Sequence, residues 1–309
     1  MAELHYIQVT RECNQHCRFC SNPVNNRTIS FNTARKLIDE YARGKAAGVI
    51  FTGGEPTLHP ELDRLIAYAQ SKQLQARITT NGQKAANCAY LGRLQRAGLA
   101  HIHFSVYSHK HKVHDYLTRK KNSLKTLFRA IKNSGALRIR TDINVVINKL
   151  NSDHLHELAE ELTKKFPFVG HFVFNNMDPG MEKAVEDPST VPVLSEFESS
   201  LTLAMRYLAA SGRTFRVERV PLCFMSEFPH CSTETRKLVK AEARSTYFLD
   251  EKALVRQTVW EHGKSARCSA CNLTGICVGL YKMDIYYKSE ELCPIFSSPA
   301  LIKKRILRG

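Results

Sequence analysis

The chain has 309 residues, enough for one large α/β domain with a small appendage. It carries 45 Lys and Arg against 29 Asp and Glu, so anionic partners are favoured over cationic ones. No apolar stretch approaches the roughly 18 residues that cross a bilayer, and the first residues lack the basic and then apolar pattern of a signal peptide. The 10 cysteines fall mostly in short clusters, as in metal-binding proteins of a reducing cytoplasm.

Short β-type runs alternate with amphipathic stretches, which predicts repeated βα units around a parallel sheet. The predicted strands cover residues 5–10, 48–52, 75–80, 101–108, 140–148 and 171–176. The predicted helices lie near residues 33–47, 60–71, 86–97, 123–134 and 153–166. This pattern predicts an α/β fold with a partial (βα)6 barrel over residues 1–215 and a smaller domain over residues 216–309.

The fourth and fifth predicted strands each have one polar face. His103, Ser105 and Tyr107 share a face of the fourth strand, and Arg140 and Asn144 share a face of the fifth. If helices cover the apolar faces, these polar faces line the barrel interior, which becomes a candidate substrate cavity. The alternative is that both strands lie at a sheet edge with their polar faces in solvent. We expect His103, Tyr107 and Arg140 to position substrate.

Cys13, Cys17 and Cys20 form a CxxxCxxC triad. Thiolates are soft ligands suited to Fe–S clusters and zinc, and three of them hold a [4Fe-4S] cluster while leaving one iron without a protein ligand. A structural zinc site would need a fourth ligand, for which His16 is the nearby candidate, and a disulfide would leave an odd thiol. The spacing therefore favours a cluster with an open iron.

Two short motifs follow the second and third strands. Gly53-Gly54-Glu55-Pro56 combines glycines that permit close backbone approach with an acid that can accept hydrogen bonds from an ammonium group. Thr79-Thr80-Asn81-Gly82 ends in ordinary turn chemistry. Either motif alone says little.

In this order the three motifs resemble the radical S-adenosylmethionine (radical SAM) superfamily, over roughly residues 4–176. The resemblance implies a [4Fe-4S] cluster on the cysteine triad, with S-adenosylmethionine chelating the open iron. It also implies that Glu55 and the backbone of Gly53 and Gly54 meet the methionine amino group. Less specifically, the resemblance implies that the cofactor's carboxylate and ribose are contacted by Thr80, Ser105 and Asn144. Asp142 departs from relatives that carry a basic residue near this position.

The same resemblance implies that one electron, from a donor such as ferredoxin or flavodoxin, cleaves the sulfonium to give a 5′-deoxyadenosyl radical that abstracts hydrogen from substrate. The protein excludes water and aims the radical. We expect Glu55, Ser105 and Arg140 to serve this chemistry. Replacing Arg140 with Met should impair substrate coupling more than cofactor cleavage.

A second thiol cluster, Cys268, Cys271 and Cys277, has CxxCx5C spacing, with Gly275 expected to relax the turn. It resembles the SPASM and Twitch extensions, which implies an auxiliary [4Fe-4S] cluster. Tyr281 stands where a full SPASM extension has another cysteine, so we expect one auxiliary cluster. The fourth ligand is predicted to be Cys223, with Cys293 second and an open cluster third. A zinc ribbon fragment is the alternative. Cys88 is predicted to be a small buried hydrophobe.

The substrate class is open at this point. Enzymes with this layout modify peptides, act on small molecules or modify RNA, and we rank them in that order. The triad begins at Cys13, which leaves no room for an N-terminal leader-binding domain, so a separate partner protein would have to supply one. An acidic peptide or a phosphorylated small molecule would suit the basic chain. The alternative from another class is a basic Fe–S protein that binds nucleic acid without cleaving S-adenosylmethionine.

Overall fold

The computed structural model describes residues 4–22 and 25–308. Two predictions fall partly outside this range. They are the lack of a signal-peptide pattern in the first residues and the outer limits of the two predicted domains, at residues 1 and 309. The strands are β1 (Leu4–Thr10), β2 (Gly48–Gly53), β3 (Gln75–Thr80), β4 (Leu99–Ser105), β5 (Arg140–Ile147), β6 (His171–Asn176), β7 (Thr214–Glu218), β8 (Arg244–Tyr247) and β9 (Leu254–Gln257). The helices are α1 (Phe31–Arg43), α2 (Leu62–Ser71), α3 (Cys88–Arg96), α4 (His111–Thr118), α5 (Ser123–Ala136), α6 (Leu155–Lys165), α7 (Glu182–Glu186), α8 (Leu194–Ala210), α9 (Thr233–Lys240) and α10 (Pro299–Arg308).

All the strands belong to one sheet, in the order β7-β6-β5-β4-β3-β2-β1-β8-β9. Neighbouring strands are parallel except for the β8–β9 pair. Tyr6 of β1 and Arg216 of β7 line the same cavity, so the sheet curls round on itself. The α/β fold with a partial parallel barrel is confirmed, and the six predicted strands correspond to β1–β6.

The interior face of the barrel is polar, as predicted. β4 and β5 have neighbours on both sides, so the alternative of two edge strands is wrong. Outward residues such as Phe104 and Ile143 are fully buried in the core between sheet and helices. The polar side chains of these strands therefore point into the barrel.

Helix boundaries follow local capping chemistry. The Ser30 side chain accepts a hydrogen bond from the Thr33 amide, 3.1 Å away, and Asn87 caps α3 by accepting from the Tyr90 amide at 3.0 Å. Because α3 buries Tyr90 and Leu91, Cys88 lies on the opposite face and is exposed, so its predicted burial is wrong.

The C-terminal part extends the sheet. β8 pairs with β1, and β7 extends the other edge beyond β6. The proposed domain division after residue 215 falls inside β7. The last described residues form α10, which buries Ile302 and Ile306. Among the described residues, no helix is long and apolar enough to span a membrane.

Candidate active site

The cysteine triad lies on the loop that follows β1, at the carboxyl end of the parallel strands. Cys13, Cys17 and Cys20 line one cavity of about 400 Å³. The loop is tied to α4: the Arg18 amide donates to the Leu117 carbonyl oxygen at 2.9 Å. Sequence spacing and tertiary contacts thus bring the three thiols together.

The three thiols are held in an environment that disfavours a free thiolate. Burial, followed by smaller effects that include neighbouring thiols, raises the pKa of Cys13 to about 11 and raises the pKa of Cys17 well above its usual range. The pKa of Cys20 is also raised, mainly by burial. Cys17 is buried and the other two thiols are half-buried, so deprotonating all three together requires a positive centre that replaces their protons. A soft, positively charged iron centre fits this donor set.

The Gly53-Gly54 pair packs against the start of the cysteine loop. Gly53 has φ of 139°, and a Cβ there would overlap the Thr10 carbonyl oxygen. A Cβ on Gly54 would overlap the carbonyl oxygens of Arg11 and Glu12. The Gly54 amide donates to the Thr10 carbonyl oxygen at 2.7 Å, and the Glu55 amide donates to that of Glu12 at 2.8 Å. The close approach predicted for these glycines is made to the chain's own backbone.

Glu55 is fully buried and joins the two short motifs. Its Oε1 accepts from the Thr57 amide at 3.0 Å and from the hydroxyls of Thr57 and Thr80 at 2.6 Å. Its Oε2 accepts from the Asn81 amide at 2.7 Å. Burial raises the pKa of Glu55, while these hydrogen bonds lower it. The carboxylate and the Thr80 hydroxyl thus fix the loop geometry and are engaged by the protein itself.

Asn81 is a site residue that the sequence analysis missed. Its Nδ2 lies 3.8 Å from Cys13 Sγ and donates to Asn14 Oδ1 at 2.8 Å. The signal was available, because Asn81 belongs to the motif that also contains Thr80, but Asn-Gly was interpreted only as turn chemistry. Asn81 therefore connects the end of β3 to the cysteine loop.

Ser105 and Asn144 are neighbours on β4 and β5, in register near the carboxyl ends of their strands. Tyr107 belongs to a buried apolar cluster with Cys17, and its ring lies 4.8 Å from that of Phe19 in an edge-on contact. Ser105 and Asn144 thus stand near the end of the sheet at which the triad loop lies, and Tyr107 packs with Cys17.

Arg140, predicted to position substrate and to serve catalysis, does not line the cavity that holds the triad. It opens β5, four residues and thus about 13 Å before Asn144. Together with His103 and Asp142 it lines a different cavity, towards the amino ends of the strands. The sequence already indicated this position, because Arg140 begins its predicted strand and parallel barrels carry their chemistry at the carboxyl ends of strands.

The auxiliary thiols form a second group. Cys268, Cys271 and Cys277 line one cavity together with both predicted fourth ligands, Cys223 and Cys293. Burial raises the pKa of Cys223 to about 12, whereas Cys293 is exposed. Five thiols around one cavity form a soft donor set that fits an iron–sulfur cluster. Gly275, expected to relax this turn, has no positive φ.

Comparisons with known proteins identify the family of this chain. The radical SAM superfamily domain matches residues 7–162. The PqqA peptide cyclase of Xanthomonas campestris pv. campestris is 30% identical over 155 residues, which are 48% of this chain and 40% of that protein. The Fe-coproporphyrin III synthase of Methanosarcina barkeri is 28% identical over 147 residues, 46% of this chain and 36% of that protein. The chain thus spans less than half the length of these curated relatives.

Solved structures share the fold. Streptococcus suis SuiB bound to S-adenosylmethionine superposes with a TM-score of 0.68 at 14% identity, over 91% of this chain and 73% of that one. Native anSMEcpe with bound AdoMet gives 0.65 at 13% identity, over 99% and 96% of the two chains. The family's cofactors are a [4Fe-4S] cluster and S-adenosylmethionine. Because the family domain matches half of the chain and includes the cysteine triad, the chain belongs to the radical SAM superfamily of enzymes.

Proposed function

We propose that this enzyme reductively cleaves S-adenosylmethionine and uses the resulting radical to modify a peptide or protein. The observation that carries the first half is the meeting of the thiols of Cys13, Cys17 and Cys20, around one cavity, with the Gly53-Gly54-Glu55 loop at the carboxyl end of one parallel sheet. Neither a zinc site nor a nucleic-acid-binding module would explain the Gly53-Gly54-Glu55-Pro56 motif.

In this proposal Cys13, Cys17 and Cys20 hold the [4Fe-4S] cluster, and the loop at Gly53 and Gly54 borders S-adenosylmethionine. The cluster and S-adenosylmethionine together supply the 5′-deoxyadenosyl radical, which abstracts a hydrogen atom from substrate. The electron comes from a small redox protein such as a ferredoxin or flavodoxin. All 10 cysteines are free, which supports a reducing cytoplasm as the compartment.

The chain's own residues hold and shield the site. Glu55 fixes the positions of Thr57, Thr80 and Asn81, so the loops after β2 and β3 behave as one unit. Tyr107 and Phe19 cover Cys17 with apolar surface, which excludes water from its side of the cluster. Ser105 and Asn144 offer hydrogen bonds to the polar groups of the cofactor.

Peptide modification is the favoured substrate class because a curated relative and a solved fold neighbour are both named for peptides. One relative is a peptide cyclase, and SuiB has been solved with its precursor peptide SuiA. A phosphorylated or otherwise anionic small molecule is the second candidate. It is supported by the strongly basic cavity in the barrel and by the relative named for coproporphyrin.

The thiols after β7 are proposed to hold one auxiliary [4Fe-4S] cluster in a small unit that follows the barrel. Cys223 is the proposed fourth ligand because it is more buried than Cys293. A Cys223→Ala variant should then lose about four irons per chain, whereas Cys293→Ala should keep them. The reverse pattern would assign Cys293, and full iron in both variants would indicate an open cluster.

The first experiment compares the wild type, a Cys13/Cys17/Cys20→Ala variant and a Cys88→Ala control after anaerobic reconstitution. The measurements are iron and sulfide content and dithionite-driven formation of 5′-deoxyadenosine. We expect about eight irons in the wild type and in Cys88→Ala, and about four in the triple variant with 5′-deoxyadenosine lost. Zinc in place of iron, or no 5′-deoxyadenosine from the wild type, would refute the radical chemistry.

The substrate class needs a second experiment. The enzyme is co-expressed with short open reading frames encoded beside its own gene, and each peptide is examined for a mass change. A change that requires Cys13, Cys17 and Cys20 supports peptide modification. If every neighbouring peptide is unchanged and the neighbouring genes make a cofactor, the small-molecule candidate replaces it.

A further inference from the structure

A second cavity of about 440 Å³, here called the basal cavity, lies within the barrel towards the amino ends of the strands. It is lined by the early residues of β3, β5 and β7 and is covered by α9 and the start of β8. Its entrance region at Arg140 lies about 13 Å before the level of Asn144, so it is separate from the cysteine cavity. The peptide modification favoured above does not use it.

The basal cavity concentrates positive charge. Its cationic lining residues are Arg77, Arg140, Arg216, Arg236, Lys237 and Arg244. Its acids are Asp142, Glu218 and Glu242. Among the described residues, none of these cations forms an ion pair, whereas Asp142 lies 2.8 Å from His101. The six cations therefore outnumber the three acids of the lining, and the acids offset only part of the positive charge.

Mutual repulsion is visible in the pKa values. Burial and then Arg140 lower the pKa of Arg77, and burial and then Arg244 lower the pKa of Lys237 to about 8. Holding six partly exposed cationic side chains around one cavity costs stability through their mutual repulsion, and a bound anion would offset it.

Two hydrogen-bond donors of the cavity also lack a partner. Arg77 Nε and Thr233 Oγ1 are buried, and within residues 4–22 and 25–308 neither meets an acceptor. Buried donors are normally satisfied, and an oxyanion would satisfy both donors and the positive charge.

A metal ion is the competing occupant, because donor atoms of His101, His103 and Asp142 lie within 4.8 Å of one another. The surrounding charge argues against it. Arg77 and Arg140 repel a cation, and Asp142, the carboxylate of this cluster, is already paired with His101.

We propose that the basal cavity binds a phosphate-bearing anion. A phosphate group carries up to two charges and three strong acceptor oxygens on one atom, which suits several converging guanidinium groups better than a single carboxylate does. Arginine forks bind such groups in a bidentate manner. The site stands whether or not the substrate of the radical reaction is a peptide.

The test uses the anaerobically reconstituted holoenzyme and inorganic pyrophosphate as the probe, with binding measured by calorimetry at fixed ionic strength. Arg140→Gln and Arg236→Gln are chosen because neither side chain makes a hydrogen bond within the described residues. Each variant should weaken binding about tenfold or more, the effect of losing one charge-assisted hydrogen bond. Arg129→Gln, on an exposed face of α5, is the matched control and should bind like the wild type.

Three results would overturn the proposal: unchanged affinity in both cavity variants, an equal loss in Arg129→Gln, or citrate binding as tightly as pyrophosphate. Cluster absorbance is followed throughout, so that iron chelation is not mistaken for binding. Pyrophosphate should also raise the unfolding temperature of the wild type more than that of the cavity variants. Pyrophosphate binding and 5′-deoxyadenosine formation are measured separately. A lack of pyrophosphate binding would therefore not count against the radical chemistry, and a lack of 5′-deoxyadenosine would not count against anion binding.

Discussion

At the scale of single residues, the site depends on two backbone positions where no side chain fits. Gly53 and Gly54 press against Thr10, Arg11 and Glu12, so the loop after β2 rests directly on the cysteine loop. A backbone neighbour cannot rotate away as a side chain can. The pair therefore sets the distance between the cysteine loop and the loop that borders the cofactor.

Gly54→Ala should destabilise the protein by about 3 kcal/mol and reduce S-adenosylmethionine binding, because the new methyl group would displace the cysteine loop. Thermal unfolding and equilibrium binding measure the two effects. Gly275→Ala is the control: a Cβ there meets nothing within 4 Å, so stability should change by less than about 0.5 kcal/mol. Equal stability of the two variants would contradict this account.

Glu234 gives the stability a pH dependence. It is buried, its Oε1 accepts from the Arg219 amide at 3.0 Å, and burial followed by the charge of Glu218 raises its pKa to about 7. A raised carboxyl pKa favours the protonated folded state. Its contribution to folding stability is thus complete below pH 4.5, the pKa of the carboxyl group in the unfolded chain, and is lost as the pH rises through about 7.

Glu234→Gln removes this titration. The variant should gain stability relative to the wild type between pH 5 and pH 8, by about 2 kcal/mol in total, with no further gain above that range. Urea unfolding at several pH values measures the difference. A difference that does not vary with pH would show that Glu234 keeps its ordinary pKa.

At the scale of elements, the cysteine loop is held by a distant part of the chain. The Arg11 guanidinium, only 1% exposed, donates to Asp250 Oδ2 at 2.8 Å and to Asn22 Oδ1 at 3.0 Å. Asp250 lies in the turn between β8 and β9. The loop after the first strand is therefore completed by residues more than 200 positions later.

Asp250→Ala should destabilise the protein by about 3 kcal/mol, because it leaves the buried Arg11 charge unpaired. The iron content of the reconstituted protein should fall with it. Glu251→Ala removes the neighbouring, exposed carboxylate and should change neither quantity. Unaltered iron and unfolding temperature in Asp250→Ala would refute the structural role of this pair.

Some elements could be predicted from the chain and others could not. β1–β6 follow from apolar runs, and α5 was predicted because buried Leu124, Leu127 and Ile131 alternate with exposed Lys125 and Arg129 at helical spacing. α4 was missed, since it is short and its pattern is interrupted by basic residues. β8 has only four residues and pairs with β1, a long-range contact that no local pattern contains.

At the scale of the whole molecule, the C-terminal part completes the barrel as well as carrying the second thiol group. β8 covers the edge of β1, α9 lies against β7, and α10 packs on α9. The last 70 residues or so thus protect the edge of the first strand, and we expect the chain to unfold as one cooperative unit.

Removing residues 241–309 should therefore prevent stable folding, because the edge of β1 is exposed and Arg11 loses Asp250. Removing only residues 308–309 should leave the unfolding temperature unchanged. Circular dichroism and sedimentation of the two truncated proteins measure folding and aggregation. A folded, monomeric protein lacking 241–309 would show that the barrel is independent of its appendage.

The sequence by itself determined the thiol spacing, the order of the three motifs and the polar face of β4 and β5, because each depends on residues that are close along the chain. Only the tertiary structure decided that Glu55 is engaged by Thr57, Thr80 and Asn81. It also decided that Arg140 faces a separate cavity, where cations from five elements converge. The physical reason is that strand periodicity fixes which face a side chain takes, whereas its charged neighbours are set by long-range packing of strands and helices.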